Sequence, residues 1–259
     1  MLLDGRVAVV SGVGPGLGKH IALDLAREGC QVVVSARSDS TIASVAGEIE
    51  MSGGRALAVP ADVTVRSDCD ELAKKAREQF GRIDVLVVNG YIGTGRMDDF
   101  ESADPESWRQ VFDVNVWGAM NLIQAHIPHL RESTSGRIII TSAMATRVTT
   151  ARGRTAYAAS KAVLNQFIQN LAYELGPDGI RVNGVAPGWM AGPTVDALLA
   201  GDDDDEMAIR VRRALEDIPL GYMPPSSEVA KTFVYLASDL ALPITGQCID
   251  ANGGHFMQS

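Results

Sequence analysis

Short runs of β-branched residues alternate with stretches of helical periodicity along the whole chain. The first run, Arg6–Ser11, is followed by apolar residues at helical spacing and then by a second run, Gln31–Ser35. Five further runs have the same character: Ala56–Val59, Ile83–Val88, Arg137–Thr141, Arg181–Val185 and Gln247–Asp250. Strands that are apolar on both faces and separated by helices predict an α/β fold. We therefore expect a single domain over residues 1–259, with a doubly wound, seven-stranded parallel sheet and helices on both faces.

The later helices have recognisable limits in the sequence. Asp104-Pro105 has the form of an N-cap followed by proline at the first helical position, which predicts a long helix to about His126. Further helices are expected over Thr155–Leu175 and Ser227–Ser238. The stretch from Pro187 to about Pro225 has no clear element and contains the acidic run Asp202–Glu206. We expect it to be irregular and to form a substrate lid at about 188–225.

Charge and composition exclude several classes of partner. The chain has 23 Lys and Arg against 32 Asp and Glu, a formal net charge of −9, which argues against binding to nucleic acid or an anionic membrane. Every apolar run is too short to span a bilayer, and the first residues do not resemble a signal peptide. Cys30, Cys69 and Cys248 lie too far apart to indicate a metal site or a disulfide framework. These features predict a cytoplasmic protein with a small-molecule substrate and no metal.

A glycine-rich turn, Ser11–Gly18, joins the first strand to the first helix. At this place the helical N–H groups can meet a pyrophosphate, and glycine allows either close backbone approach or a positive φ. The spacing of Gly12, Gly16 and Gly18 is G-x-x-x-G-x-G, which differs from the common G-x-G-x-x-G. The turn predicts a dinucleotide cofactor in a Rossmann-like fold. The residues expected to contact it here are Ser11, Gly12, Gly14, Gly16, Leu17 and Gly18.

Three further strand ends are expected to border the cofactor. The second strand ends in Ser35-Ala36-Arg37-Ser38, without the acidic residue that would bind the ribose hydroxyls of NAD(H). Arg37 and Ser38 can instead hold a 2′-phosphate, so the sequence favours NADP(H), with NAD(H) still possible. Asp62-Val63 follows the third strand near the expected adenine edge. Asn89-Gly90 ends the fourth strand and should line the cofactor from the other side.

Tyr157 and Lys161 are four residues apart on one predicted helix, so their side chains project from the same face. A neighbouring ammonium and an oxidised nicotinamide both favour the phenolate, which would let Tyr157 exchange a proton with a substrate. Ser142 ends the fifth strand, where it can hydrogen-bond the substrate oxygen. Asn115 lies in a helix interior that asparagine does not favour, which indicates a functional water site. Together these residues predict an oxidoreductase with Tyr157 as general acid and base.

The chain resembles the short-chain dehydrogenase/reductase family over nearly its whole length. The resemblance rests on motifs in family order: Ser11–Gly18, Asp62-Val63, Asn89, Asn115, Ser142, Tyr157, Lys161 and Pro187-Gly188. It implies a catalytic tetrad of Asn115, Ser142, Tyr157 and Lys161, in which Lys161 also binds the nicotinamide ribose and Asn115 holds a water in a proton relay. It further implies cofactor contacts from Tyr157, Pro187 and Gly188, and a homotetramer or dimer.

Three features depart from the family pattern. The usual N-N-A-G motif is replaced by Val88-Asn-Gly-Tyr91, so Tyr91 either crowds the site or contacts substrate. The interval from Ser142 to Tyr157 is longer than usual by two residues. Gly192 stands where the family often has threonine, which leaves either Thr194 or the backbone to contact the cofactor's carboxamide.

Substrate and reaction stay open at this stage. Met97, Met144, Trp189 and Met190 favour an apolar alcohol or ketone, whereas Arg147, Arg152 and Arg154 favour an acidic or acyl-carrier substrate. The main expectation is hydride transfer between a nicotinamide and a secondary alcohol or ketone, and the alternative is reduction of a 3-oxoacyl thioester. A lyase, dehydratase or epimerase with bound nicotinamide is a further alternative. So is a non-catalytic NADP(H)-binding regulator.

Overall fold

The computed structural model describes residues 1–93, 99–149, 152–201 and 206–257. Its sheet has seven parallel strands in the order β3-β2-β1-β4-β5-β6-β7, which confirms the predicted fold class. The strands are β1 Val7–Ser11, β2 Gln31–Ser35, β3 Arg55–Ala58, β4 Val85–Val88, β5 Arg137–Thr141, β6 Arg181–Pro187 and β7 Cys248–Ala251. β2 and β5 have the predicted bounds, and the other five strands differ from the sequence prediction by one or two residues.

Helices cover both faces of this sheet. In the described residues they are α1 Leu17–Arg27, α2 Asp39–Met51, α3 Arg66–Phe80, α4 Pro105–Phe112, α5 Ala119–Arg131, α6 Thr155–Leu175, α7 Pro193–Leu199, α8 Glu206–Asp217 and α9 Ser226–Ala237. Successive residues of β1 show the two-layer core, because Ala8 and Val10 pack with α1, α2 and α9, whereas Val9 packs with α3, α5 and α6. Every residue of β1 is buried, as expected for a central parallel strand.

The strand order places a crevice beside β1. From β1 the chain passes outward to β2 and β3, and it then returns to β4 on the other side of β1. The helices that follow β1 and β4 therefore diverge, and they leave an opening at the carboxyl ends of these strands. Ligands of doubly wound sheets bind at this switch point.

The predicted helix from Asp104 to about His126 is wrong in two respects. Asp104 does cap the helix, since its carboxylate accepts from the backbone N–H groups of Glu106 and Ser107. However, α4 passes into a π-helical turn at Asp113–Gly118 before α5 begins, and α5 continues to Arg131. The added length has a packing reason, because Leu130 is fully buried and extends the apolar face past Pro128.

The sequence predicted an irregular segment from Pro187 to about Pro225, and this prediction is wrong. It contains α7 and α8, which pack around a small apolar cluster formed by Val195, Val211, Ala214, Ile218 and Met223. Asp202–Asp205 lie outside the described residues, and α8 begins at Glu206. That this segment acts as a substrate lid stays a prediction.

Candidate active site

A cavity of about 1280 Å³ opens at the carboxyl ends of the strands, beside the switch point. It brings together most of the residues singled out in the sequence. Those that line it are Ser11, Gly12, Gly14, Gly16, Leu17, Gly18, Arg37, Ser38, Asp62, Val63, Asn89, Gly90, Ser142, Tyr157, Pro187 and Gly188. Lys161 and Asn115 are buried behind this lining. The side chain of Thr194 lies outside the described part of the structure, and so does Met97.

The glycines of the turn have two different roles. Gly12 has a φ of +85°, and a Cβ on it would collide with the backbone of Gly90. A Cβ on Gly18 would collide with the carbonyl oxygen of Gly12 and would lie 2.9 Å from Nδ2 of Asn89. These two glycines are therefore required by the packing of the protein against itself, in addition to any contact with a ligand.

Gly14 and Gly16, in contrast, face open space, since a Cβ on either would meet no atom within 4 Å. Helix α1 begins directly after them, without a side-chain cap at Gly16 and without an acidic residue in its first turn. A helix N-terminus of this kind favours an anion. The turn thus offers both the room and the electrostatic environment that a pyrophosphate needs.

Hydroxyl groups and a guanidinium gather where β2 ends. Oγ1 of Thr41 donates to Oγ of Ser38 over 3.1 Å, and the exposed side chain of Arg37 lies beside them on the cavity wall. Burial would raise the pKa of Asp62, but hydrogen bonds from Thr64 and the charge of Arg37 lower it overall. Asp62 is therefore both a turn residue, bonded to Thr64, and a part of the cavity lining.

Asn89 connects three parts of the cavity wall. Its Nδ2 donates to the carbonyl oxygen of Gly12 over 2.8 Å, and its Oδ1 accepts from Oγ1 of Thr141 over 3.0 Å. The end of β4 is thereby tied to the glycine turn and to the end of β5. Asn89 fixes the relative positions of these elements while lining the cavity.

Lys161 is fully buried on α6. Its ammonium donates to the carbonyl oxygen of Thr141 over 2.7 Å, and Nζ lies 5.3 Å from the centroid of the Tyr91 ring. Burial lowers the pKa of Lys161 to about 7. Close to neutral pH, therefore, the folded protein holds this lysine partly in its uncharged form.

The expected phenolate at Tyr157 depends on Lys161 and on an oxidised nicotinamide together, and for that complex it stays a prediction. Burial, together with the neighbouring Tyr91, raises the pKa of Tyr157 above its ordinary value, and the cation that opposes this rise is Arg154. Lys161 does not oppose this rise, because burial lowers its own pKa to about 7 and its Nζ is directed to the carbonyl oxygen of Thr141. Tyr157 consequently retains its proton near neutral pH.

Ser142 is held by a residue that the sequence analysis missed. Its Oγ donates to Oδ1 of Asn165 over 2.6 Å, and Nδ2 of Asn165 donates to Oγ1 of Thr146 over 2.9 Å. Asn165 lies one turn beyond Lys161, in the same i, i+4, i+8 row that begins at Tyr157. A polar residue continuing this row into a buried helix face was the signal that would have found it.

Asn115 lies in the π-helical turn and is 1% exposed. Its Oδ1 accepts from the backbone N–H of Ile92, and its Nδ2 donates to the carbonyl oxygen of Ile92 and to Oγ of Ser160. Both amide hydrogens are thus used within the protein. A proton relay through a water held by Asn115 stays a prediction, and it would need other atoms of this residue.

Aromatic rings and one guanidinium surround the outer side of Tyr157. The ring of Tyr91 lies 5.8 Å from that of Tyr157, centroid to centroid. The guanidinium of Arg154 lies over the rings of both Tyr157 and Trp189, at 5.8 and 5.5 Å. Met144 and Met190 also line this end. Apolar residues and one of the three predicted arginines, Arg154, thus meet at this end of the cavity, and that it receives the substrate stays a prediction.

The comparisons with known proteins agree with this geometry. The family model described as enoyl-(acyl carrier protein) reductase matches residues 12–255. The chain is 36% identical to the short-chain reductase protein NovJ of Streptomyces niveus, over 96% of this chain and 93% of that protein. It is 31% identical to the 7alpha-hydroxysteroid dehydrogenase of Escherichia coli K12, with 97% and 94% covered.

A 3-oxoacyl-[acyl-carrier-protein] reductase of Staphylococcus epidermidis is 36% identical, with 97% of this chain and 99% of that protein covered. A crystal structure from Burkholderia xenovorans, described as that of a short-chain dehydrogenase/reductase, superposes with a TM-score of 0.88 at 28% identity, covering 98% and 97%. The chain belongs to the short-chain dehydrogenase/reductase family. It is accordingly a nicotinamide-dependent oxidoreductase that acts on a small molecule.

Two further features are absent from the described residues. Among them, no helix is both long and apolar enough to cross a membrane. Within the same residues, no group of three or more His, Cys, Asp or Glu side chains is arranged to hold a metal ion.

Proposed function

We propose that this short-chain dehydrogenase/reductase interconverts a ketone and a secondary alcohol, with Tyr157 exchanging the proton at the substrate oxygen. The observation that carries the proposal is the convergence of Tyr157 and Ser142 on the cavity beside the glycine turn, with Lys161 buried behind them. The nicotinamide, when bound, supplies or accepts the hydride. The experiment that tests the proposal is the replacement of Tyr157 by phenylalanine.

The cavity fits a dinucleotide. Open space at Gly14 and Gly16, together with the uncapped N-terminus of α1, suits its pyrophosphate. Arg37, Ser38, Asp62 and Val63 would hold the adenosine half, while Lys161 and Tyr157 would hold the nicotinamide ribose. The remaining proposed contacts are Ser11, Gly12, Leu17, Gly18, Asn89, Gly90, Pro187, Gly188 and Thr194.

Tyr157 and Ser142 have complementary hydrogen-bonding states. Tyr157 retains its proton because burial raises its pKa, so in a reduction it acts as the acid that protonates the substrate oxygen. Ser142 donates its own proton to Asn165, which leaves its oxygen lone pairs for the cavity. Ser142 therefore accepts a hydrogen bond from the substrate hydroxyl or from Tyr157, and this orients the oxygen that exchanges the proton. Lys161 and Asn115 support Tyr157 from behind.

Asn165 acts as a positioning residue for Ser142. We expect Asn165→Leu to lower kcat by about 10-fold, corresponding to the loss of one hydrogen bond of roughly 1.4 kcal/mol, with little change in the KM for cofactor. Asn165→Asp should restore most of the rate, since a carboxylate also accepts from Ser142. Steady-state kinetics of both variants check this.

The matched control for Asn165 is Asn170→Leu, because Asn170 is exposed on the same helix and pairs with Gln166. Its kinetics should equal those of the wild type. If Asn165→Asp were as slow as Asn165→Leu, the hydrogen bond to Ser142 would not be the cause of the loss.

We propose NADP(H) as the preferred cofactor, because Arg37 and the hydroxyls of Ser38 and Thr41 gather at the adenosine end of the cavity. A charge-assisted bond to a 2′-phosphate contributes about 1.5–3 kcal/mol. Arg37→Asp is therefore expected to lower kcat/KM for NADPH by about 10- to 100-fold and to leave NADH equal or improved. The ratio of the two values of kcat/KM is the measurement.

Arg109→Asp serves as the control for Arg37, since Arg109 is exposed on α4 and pairs there with Glu106. Its cofactor ratio should remain that of the wild type. A ratio that did not change in Arg37→Asp would overturn the assignment of NADP(H).

Reduction of a 3-oxoacyl thioester is the second candidate function, favoured by the 36% identity to the acyl-carrier-protein reductase. A lyase, dehydratase or epimerase with a resident nicotinamide would show no steady cofactor turnover, which separates it from both. A non-catalytic regulator has no use for Tyr157 in the cavity wall with Lys161 buried behind it. Turnover on steroid ketones and on 3-oxoacyl thioesters distinguishes the two leading candidates.

We further propose a homotetramer in the cytoplasm. Support for self-association comes from large apolar side chains that are exposed on the single chain, among them Trp117, Leu240 and Leu242. Light scattering measures the mass of the assembly directly.

A further inference from the structure

We propose that the substrate carries a carboxylate close to its reacting carbonyl, and that Arg154 binds this carboxylate. The inference rests on the proposed function, since it assigns the substrate class of the same site. It goes beyond that function because it distinguishes an oxo acid from a neutral ketone and from a neutral thioester.

The structure separates three arginines that the sequence could not rank. Arg147 pairs with Asp250, with Nε 3.5 Å from Oδ1. Arg152 is exposed and pairs with Asp99 over 2.9 Å. Arg154 alone of the three lines the cavity, and among residues 1–93, 99–149, 152–201 and 206–257 no carboxylate forms an ion pair with it. A half-buried guanidinium at the substrate end is thus available to an anion.

The surroundings of Arg154 fix the position of its charge. The guanidinium lies over the ring of Tyr157 at 5.8 Å and over that of Trp189 at 5.5 Å. Aromatic faces hold a guanidinium by cation–π attraction. The N–H groups of the guanidinium lie in its own plane, so they remain available for two parallel hydrogen bonds to one anion. The charge of Arg154 is close enough to Tyr157 to act on its pKa: burial raises this pKa overall, and Arg154 opposes the rise. An anion bound here lies in the same small region as the proton transfer.

This position selects among anions. The phosphate of a carrier-bound thioester is separated from the acyl group by the whole pantetheine arm, so it would lie outside the cavity rather than beside Tyr157. A carboxylate on the substrate itself needs only a few bonds between it and the reacting carbonyl. The planar fork of arginine also matches the geometry of a carboxylate. The apolar wall formed by Met144, Trp189 and Met190 would cover the intervening carbons.

The test compares each oxo acid with its own methyl ester, which removes the charge and keeps the ketone. The panel is 3-oxobutanoate, 4-oxopentanoate and 5-oxohexanoate, with a neutral 3-oxoacyl N-acetylcysteamine thioester added. Wild type, Arg154→Gln and the matched control Arg152→Gln are assayed with NADPH and with NADH. The readout is the ratio of kcat/KM for acid to that for ester, because any general effect on Tyr157 cancels in this ratio.

For at least one acid, we expect the wild-type kcat/KM to exceed that for its ester by about 10- to 100-fold, as a charge-assisted pair predicts. Most of this difference should be in KM. Arg154→Gln should bring this ratio close to one, and Arg152→Gln should keep it. The inference is overturned if esters or the thioester are turned over as well as the acids, or if the preference survives in Arg154→Gln.

A binding measurement separates this inference from the proposed function. Calorimetric titration with the unreactive hexanoate is expected to give at least about 10-fold tighter binding to wild type than to Arg154→Gln, with methyl hexanoate bound equally by both. If no ketone is reduced but hexanoate binding depends on Arg154, the proposed function fails and the anion site stands. If hexanoate binding does not depend on Arg154, the anion site fails whatever the turnover.

Discussion

Replacing Tyr157 by phenylalanine is expected to lower kcat by about 10²- to 10⁴-fold, the usual contribution of a positioned acid or base. The variant keeps the ring that packs against Tyr91 and under Arg154, so the fold and the cavity should be unchanged. It removes only the hydroxyl, whose proton is retained because burial raises the pKa of Tyr157. Steady-state kinetics, together with the quenching of NADPH fluorescence on binding, separate chemistry from cofactor affinity.

The control for this variant is Tyr173→Phe, because Tyr173 lies on the same helix and is 87% exposed. It should retain wild-type kinetics. Turnover of Tyr157→Phe within a few-fold of the wild type would show that another group exchanges the proton. Weaker cofactor binding in the same variant would report the proposed contact of the hydroxyl with the nicotinamide ribose, and kcat at saturating NADPH separates that contact from the proton transfer.

The sheet and the position of the site were predictable for one shared reason. Runs such as Val7–Ser11, in which only the last residue is polar, and Val85–Val88 have no polar face, so they must be covered on both sides. Once they form a parallel sheet, the residues that follow each strand gather at one edge. The glycine turn after β1, Arg37 after β2 and Ser142 after β5 therefore line one cavity, as expected.

Local sequence did not reveal where helices change their winding or length. The π-helical turn at Asp113–Gly118 adds a residue to the helical turn without any proline or glycine pair to mark its start. Asparagine at position 115 was noticed as unfavourable, but its partners, Ile92 and Ser160, lie on other elements. Helix α8 was missed because charged residues surround the few apolar ones that face the cluster with Val195.

Electrostatic properties were the least predictable, since they depend on distant partners and on burial. Arg147 is paired with Asp250, which is 103 residues away, so nothing local distinguished it from Arg154. Spacing alone placed Lys161 one turn from Tyr157 and suggested a phenolate. Burial acts against that charge effect, because it lowers the pKa of Lys161 and raises that of Tyr157.

Lys161→Met is expected to lower kcat by about 10²- to 10³-fold, as the loss of one preorganised charged donor does at other active sites. Methionine keeps most of the volume of the buried side chain, so packing around α6 should be retained. The carbonyl oxygen of Thr141 loses its donor, which costs about 1–3 kcal/mol of folding free energy at any pH. Lys75→Met is the control, since Lys75 is exposed on α3 and pairs with Glu71.

The same variant should change how stability depends on pH, and this isolates the buried charge. Folded Lys161 has a pKa of about 7, whereas an unfolded lysine titrates near 10.4, so between these values the unfolded chain binds more protons. The wild type therefore loses folding free energy as the pH falls from about 10 to about 7, and Lys161→Met does not. Urea denaturation at pH 7 and pH 9.5 should show the stability of the variant, relative to wild type, rising as the pH falls. Lys75→Met should follow the wild type at both values.

The wild type and Lys161→Met could instead show the same dependence of folding free energy on pH. This result would mean that the ammonium is solvated in the folded protein. The account of Tyr157 as a protonated acid beside a partly discharged lysine would then have to be abandoned.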